Sequence, residues 1–131
     1  MINDKLIPNK YKQGLIDIEN LKEVELFSGN GIVAPITLSD DASNYKRIDV
    51  YAAVENVASY GLAKASVFPN LSGRGMLFLQ SAGNGWASLY CYRFVISGTS
   101  LTKNAVAMFN NNAWSQPATD NIKIYKVIGY K

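Results

Sequence analysis

The sequence contains no histidine, and Cys91 is its only cysteine. Histidine is the commonest general base and the commonest metal ligand, so its absence argues against most acid–base and zinc chemistry. A single cysteine allows no disulfide within the chain, and its position in an apolar run predicts a buried, small apolar side chain. We therefore expect no metal site and no enzymatic activity.

Signatures of nucleotide and nucleic-acid binding are also missing. No Walker loop and no strand–GxGxxG–helix unit occurs, and the glycines of SGRG (72–75) and GNGW (83–86) are better explained as turn residues. The thirteen basic residues are interspersed with ten acidic ones, and the net charge is only +3. That charge is too mild for a nucleic-acid surface. We expect no cofactor and no nucleic-acid partner.

The chain has no long apolar run of the kind that spans a membrane, and its first residues, MINDKLIPNK, do not form a basic region followed by an apolar stretch. We expect no membrane insertion and no signal peptide.

Two adjacent acids, Asp40 and Asp41, are the strongest candidates for a catalytic carboxylate pair, because glycoside hydrolysis needs only two carboxyl groups. They lie in LSDDASNY, however, and this composition predicts a turn in which short polar side chains cap backbone groups. A glycan-cleaving enzyme is therefore only a remote alternative.

From Val24 onward, short apolar runs alternate with glycine, asparagine, serine and aspartate. This pattern is typical of an antiparallel β-sandwich or barrel. We predict an all-β, jelly-roll-like antiparallel sandwich of about eight strands over residues 24–131. Residues 1–23 are predicted to be an irregular or helical lead-in, with helix confined mainly to residues 10–22.

The clearest strand is YKRIDVYAAV (45–54), in which every second residue from Ile48 to Val54 is apolar. The run GIVAPITL (31–38) contains Pro35, which cannot donate a ladder hydrogen bond, so it belongs at a sheet edge or contains a bulge. Three segments are compatible with hairpin turns, and the longest polar stretch predicts an exposed loop at 110–121. The three hairpin-compatible segments are SGNG (28–31), AGNGW (82–86) and ISGTS (96–100).

Two further runs, GMLFLQSA (75–82) and SLYCYRFVIS (88–97), are apolar on both faces. In the second run, Tyr90, Tyr92, Phe94 and Ile96 lie on one face, and Leu89, Cys91 and Val95 share the other with Arg93. A small sandwich cannot hide both faces of both strands, so we expect another subunit to cover one of them.

Three segments resemble the C-terminal domain of tail-fibre and baseplate receptor-binding proteins of tailed bacteriophages of Gram-positive hosts. They are LFSGNGIVAPITLSDDASNYKRIDVYA (26–52), FVISGTSLT (94–102) and IKIYKVIGYK (122–131). The resemblance covers roughly residues 24–131 and is strongest at the two ends. It implies a homotrimeric β-sandwich at the tail tip of a virion, made in the host cytoplasm. It also implies other tail or baseplate proteins as partners, and a host-surface saccharide, or less readily a surface protein, as receptor. The alternative is a structural connector or decoration domain without a receptor site.

In such a domain the last strand closes a sheet, with Ile122, Ile124, Ile128 and Tyr130 on its buried face. Lys126 breaks the alternation, which predicts a bulge between Tyr125 and Lys126 or a position at the rim of the sheet. The alternative is a functional lysine directed at an acidic polymer.

Saccharides are bound by aromatic rings stacked on sugar rings together with amide and hydroxyl groups. Trp86 and Trp114 are both flanked by asparagines in predicted loops, where binding residues concentrate. Either tryptophan can equally be a core or interface residue, and the asparagines can be plain turn formers. The candidate saccharide-binding residues are Trp86, Trp114, Asn84, Asn111 and Asn112, with Asn110 beside them.

Overall fold

The computed structural model describes residues 22–55, 58, 61–83, 86–110, 112–117 and 121–131. The lead-in predicted for residues 1–23, with its helix at 10–22, lies almost entirely outside this part of the chain. The described ranges contain nine strands, a 3₁₀ turn at Ala42–Asn44 and no α-helix. The strands are β1 (Glu23–Ile32), β2 (Ile36–Thr37), β3 (Arg47–Val54), β4 (Ala63–Val67), β5 (Arg74–Gly83), β6 (Trp86–Ser97), β7 (Ser100–Asn110), β8 (Ala113–Ser115) and β9 (Ile122–Tyr130).

The strands form two antiparallel sheets packed as a sandwich. Sheet A has the order β1-β9-β3-β4, and sheet B has the order β2-β7-β6-β5, with β8 paired to the far end of β7. The predicted all-β antiparallel sandwich is confirmed. The inward faces of the two sheets supply one continuous hydrophobic core, whose largest fully buried side chains include Tyr92, Phe94, Leu26, Ile48 and Leu77.

The alternation predicted for two strands is confirmed. On β3, Ile48, Val50, Ala52 and Val54 are all buried in the core. On β6, Tyr90, Tyr92, Phe94 and Ile96 point inward, whereas Arg93 is exposed on the other face. The hairpins predicted at 82–86 and 96–100 also form, with Gly83 opposite Trp86 and Ser97 opposite Ser100.

The last strand, β9, lies inside sheet A and pairs with β1 on one side and β3 on the other. Ala52 lies opposite Ile124 but Tyr51 lies opposite Lys126, so Tyr125 is an extra residue. The bulge predicted at Tyr125 and Lys126 is therefore confirmed, and Lys126 is exposed.

The bulge also corrects one expectation about β9. Because it inserts one residue, it inverts the side-chain alternation that follows. Val127 therefore joins Ile122 and Ile124 in the core, whereas Ile128 and Tyr130 lie on the outward face. The prediction that Ile128 and Tyr130 share one face with Ile122 and Ile124 is wrong, although Ile128 is buried, at 5% exposed, on the outward face.

The run 31–38 is not one strand. Its first two residues end β1. Strand structure is then interrupted at residues 33–35, which include the cis peptide bond between Ala34 and Pro35, and it begins again as β2 at the edge of sheet B. SGNG (28–31) is not a hairpin turn either: it lies inside β1, where the register against β9 shifts between Ser28 and Ile32. Glycine and asparagine occur in bulges as well as in turns, because both features need backbone conformations that differ from those of a regular strand.

Candidate functional site

Trp114 lies on a short hairpin and not in the irregular loop predicted for residues 110–121. Asn112 adopts a positive φ of 63° at the turn, a conformation that asparagine tolerates well. The chain then returns as β8, in which Trp114 lies directly opposite Phe109 of β7. The two rings are tilted at 56° with their centroids 5.3 Å apart. Trp114 remains 53% exposed, so it presents an aromatic surface to solvent while Phe109 supports it from the side.

The other predicted site residues are placed less completely. Trp86 is the first residue of β6 and not a loop residue, but its side chain lies outside the described part of the structure, as does that of Asn110. Asn84 and Asn111 lie outside the described residues altogether. Of the proposed set, the structure therefore brings Asn112 and Trp114 together on one hairpin.

Trp114 belongs to a larger apolar surface on the outward side of sheet B, which we call the outer B face. In one row across the sheet, Leu89, Phe109 and Trp114 are in direct register. In the next row, Phe78 lies opposite Cys91, which lies opposite Ala107. The outer B face comprises Met76, Phe78, Leu89, Cys91, Ala107, Phe109 and Trp114.

The outer B face is unusually exposed for its composition. Phe78 is 59% exposed and Met76 is 48% exposed. Cys91 is only half-buried here, so the expectation that it is a buried core residue is wrong. Extended apolar surfaces of this kind are often interaction sites in folded proteins.

The charge of this surface has one sign. The strands of sheet B contain no aspartate and no glutamate, and Arg74 and Arg93 project beside the apolar residues. Sheet A, by contrast, exposes Glu23 and Glu25 along its edge strand β1. A surface that is apolar and basic fits a partner that is apolar and acidic.

The sequence did not identify Met76, Phe78 and Phe109 as members of a candidate site. The available signal was the two-sided apolar character of residues 75–82, which did predict that one face needs a partner. It did not indicate which face packs inward.

The aspartate pair forms a capped turn, as predicted. Asp41 accepts hydrogen bonds from the Ser43 amide at 2.9 Å and the Ser43 hydroxyl at 2.7 Å. Asp40 accepts from the Tyr45 hydroxyl, the Asp41 amide and the Asn44 side-chain amide, at 2.8, 2.8 and 3.1 Å. Hydrogen bonds from Tyr45 and the Asp41 amide hold the pKa of Asp40 below its ordinary value. Both carboxylates are thus engaged by the turn itself.

Tyr45 gives this turn a dependence on alkaline pH. Burial, followed by the hydrogen bond to the Asp40 carboxylate, raises the pKa of the Tyr45 hydroxyl from 10.0 to about 12. A raised pKa in the folded state contributes stability that is complete below the unfolded value. We therefore expect the free energy of unfolding to fall as the pH rises from 10.0 to about 12. The measurement is urea unfolding over a pH series, with the difference between the wild type and Tyr45→Phe isolating this residue. A difference that stays constant over that range contradicts the assignment.

A second polar cluster lies on the outward side of sheet A. Asp49 is 1% exposed, accepts a hydrogen bond from the Ser66 hydroxyl at 2.7 Å, and lies 3.3 Å from Arg47 Nε. The Arg47 guanidinium lies 4.1 Å above the ring of Tyr130. This contact supports the arginine beside the carboxylate, and a buried charge requires such pairing.

Within the described residues, no helix is long and apolar enough to cross a membrane. No protein-family model matches the chain, and no curated protein matches it.

Proposed function

We propose that this β-sandwich is a receptor-binding domain of a phage tail tip or baseplate, which attaches a virion to a host cell-surface saccharide. The resemblance of residues 26–52, 94–102 and 122–131 to that family supports the virion context. The half-exposed Trp114 beside Phe109 is the single structural observation that carries the saccharide-binding part of the proposal.

The chemistry of Trp114 fits a neutral or weakly charged sugar. A sugar ring offers C–H faces, which pack on an aromatic ring, and hydroxyl groups, which need hydrogen-bonding partners. The backbone of Trp114 is fixed by strand pairing and its ring rests against Phe109, so part of the side-chain freedom is already lost before binding. Asn112, which is exposed on the same hairpin, adds an amide group of the kind that hydrogen-bonds sugar hydroxyls.

The test is replacement of Trp114 by alanine. Truncation of an exposed aromatic anchor costs about 2 kcal/mol or more, so binding should weaken by more than about tenfold. The measurement is binding of the purified domain to whole cells and to extracted wall polysaccharide from candidate hosts. Leu71→Ala is a matched control, because Leu71 is 82% exposed and lies in the turn between β4 and β5, away from the hairpin.

Two outcomes contradict this assignment. If Trp114→Ala unfolds the domain, Trp114 is a structural residue. If the variant folds and binds cells as the wild type does, the saccharide site lies elsewhere. Trp86→Ala, tested separately, then decides whether the other tryptophan carries the binding.

We further propose a homotrimer that forms through the β5 side of the outer B face, around Met76 and Phe78, and leaves Trp114 on β8, beyond β7, accessible to a ligand. This face is apolar and basic, and a second copy of the chain can offer the acidic strand β1. A contact between two different surfaces of the same chain is heterologous, and such contacts can close into a cyclic ring.

A second candidate function is a structural connector or decoration domain of the virion. The broad apolar outer B face favours it, because another tail protein can cover that face as well as a second copy can. Solution mass separates the two functions. A domain that is trimeric alone supports the receptor-binding head, whereas a monomer that binds tail or baseplate proteins supports the connector.

A further inference from the structure

The outward surface of sheet A carries a row of residues in direct register across all four strands. The row consists of Lys64 on β4, Tyr51 on β3, Lys126 on β9 and Ser28 on β1. Both lysines are exposed and Tyr51 is half-buried. Because neighbouring strands lie about 4.8 Å apart, the two lysine backbones are separated by about 10 Å, with the tyrosine between them.

Neither lysine of this row is held in a direct ion pair within the described part of the protein. Lys123, opposite Ala53, adds a third amine nearby. The acidic side chains on this surface are Glu23, Glu25, Asp49 and Glu55. Asp49 is buried against Arg47 and Ser66, and the three glutamates are exposed without an ion pair to a described residue.

Protection of the sheet edge accounts for only one of the two lysines. Lys64 lies on the edge strand β4, where lysine commonly prevents strand pairing with other molecules. Lys126 lies on β9, an interior strand, and the bulge at Tyr125 keeps it on the outward face. Bulges often reorient a side chain beside a functional site.

We propose that the row Lys64–Tyr51–Lys126 binds an anionic polysaccharide, with a sugar ring on Tyr51 and acidic groups of the polymer at the two lysines. An ammonium group pairs with either a carboxylate or a phosphate, so the shared chemistry is a sugar chain that carries regularly spaced negative charges. The row lies on the opposite sheet from Trp114, so this proposal does not depend on whether the hairpin binds a sugar.

The test uses three polymers in a salt series: polygalacturonate, which has a carboxylate on each sugar, inorganic polyphosphate, which has charge without sugar, and uncharged dextran. The protein should bind polygalacturonate at low salt and should not bind dextran. Lys64→Gln and Lys126→Gln should each weaken binding several-fold and reduce the dependence of log affinity on log salt by about one unit. Tyr51→Leu should weaken binding of polygalacturonate, whereas Tyr51→Phe, which keeps the ring, should bind as the wild type does.

Arg74→Gln is the matched control, because it removes one positive charge from an exposed residue of sheet B. If Arg74→Gln weakens binding as much as Lys126→Gln does, binding follows net charge and the proposal is overturned. It is also overturned if Tyr51→Leu folds and leaves the affinity for polygalacturonate unchanged. If Tyr51→Leu does not fold, the two lysine variants decide alone. Trp114→Ala should have no effect here, which separates this site from the proposed saccharide site on the hairpin.

Discussion

A chain that carries Met76→Lys together with Phe78→Lys should sediment as a folded monomer, whereas the wild-type chain should sediment as a trimer. Both residues lie on the outer B face, where Met76 is 48% exposed and Phe78 is 59% exposed. Lysine is well solvated there in an isolated sandwich, but in a closed interface it must leave water and it replaces an apolar side chain, which costs several kcal/mol unless the charge is fully paired. Two such charges in each subunit exceed what an interface of ordinary size tolerates.

The measurement is sedimentation velocity or light scattering at micromolar concentration, with circular dichroism to verify the β-structure. Leu71→Lys is the control: it adds a lysine at an apolar residue that is 82% exposed but lies outside the outer B face, so the trimer should persist. A monomeric wild type contradicts the proposed trimer and favours a connector that needs another virion protein. A double variant that remains trimeric shows that the subunits meet at another surface.

The period-two pattern predicted the fold well wherever a strand is regular. On β3, the residues that face the core could be identified from the sequence, and on β6 the two alternating sets could be separated, because successive residues of a strand point to opposite faces of the sheet. Lys126 even identified the position of the bulge in β9, since a lysine at an inward position is costly unless the strand departs from alternation. The same bulge made the prediction for Ile128 and Tyr130 wrong, because the alternation was continued through it.

Other errors came from local signals that suit two structures equally. SGNG (28–31) has the composition of a hairpin turn, but pairing with β9 selects a distorted strand instead. Pro35 correctly indicated an interruption, yet the sequence does not say that the chain changes sheets there. These choices depend on long-range strand pairing, which short sequence windows do not contain.

The candidate surfaces were predictable only in part. Trp114 was identified as a candidate from its asparagine-rich surroundings, but its strand position opposite Phe109 was not, because β8 is short and wholly exposed. The exposure of Phe78 could not be predicted either. In a strand that is apolar on both faces, composition does not say which face meets the other sheet.

Gly75 and Phe94 pack against each other in the core, and replacing these two residues should have the largest effect on the free energy of unfolding. Gly75 of β5 lies directly opposite Phe94 of β6, and the Phe94 ring, which is 1% exposed, lies over the glycine. A β-carbon on Gly75 would collide with this ring and would lie 2.7 Å from Cγ2 of Val67. The ring thus fills the space left by the missing side chain, an arrangement that stabilises glycine within a strand.

Gly75→Ala should destabilise the protein by about 1–3 kcal/mol through overpacking, and Phe94→Ala by about 3–5 kcal/mol through loss of buried surface and creation of a cavity. The double variant should be more stable than the sum of the two effects predicts, by about 1–2 kcal/mol, because the new methyl group then enters space that the ring has left. The measurement is the midpoint and slope of urea unfolding for all four proteins, at one concentration at which they share the same oligomeric state. Additive effects would mean that the two residues do not compete for the same volume, and the packing described for Phe94 over Gly75 would then be wrong.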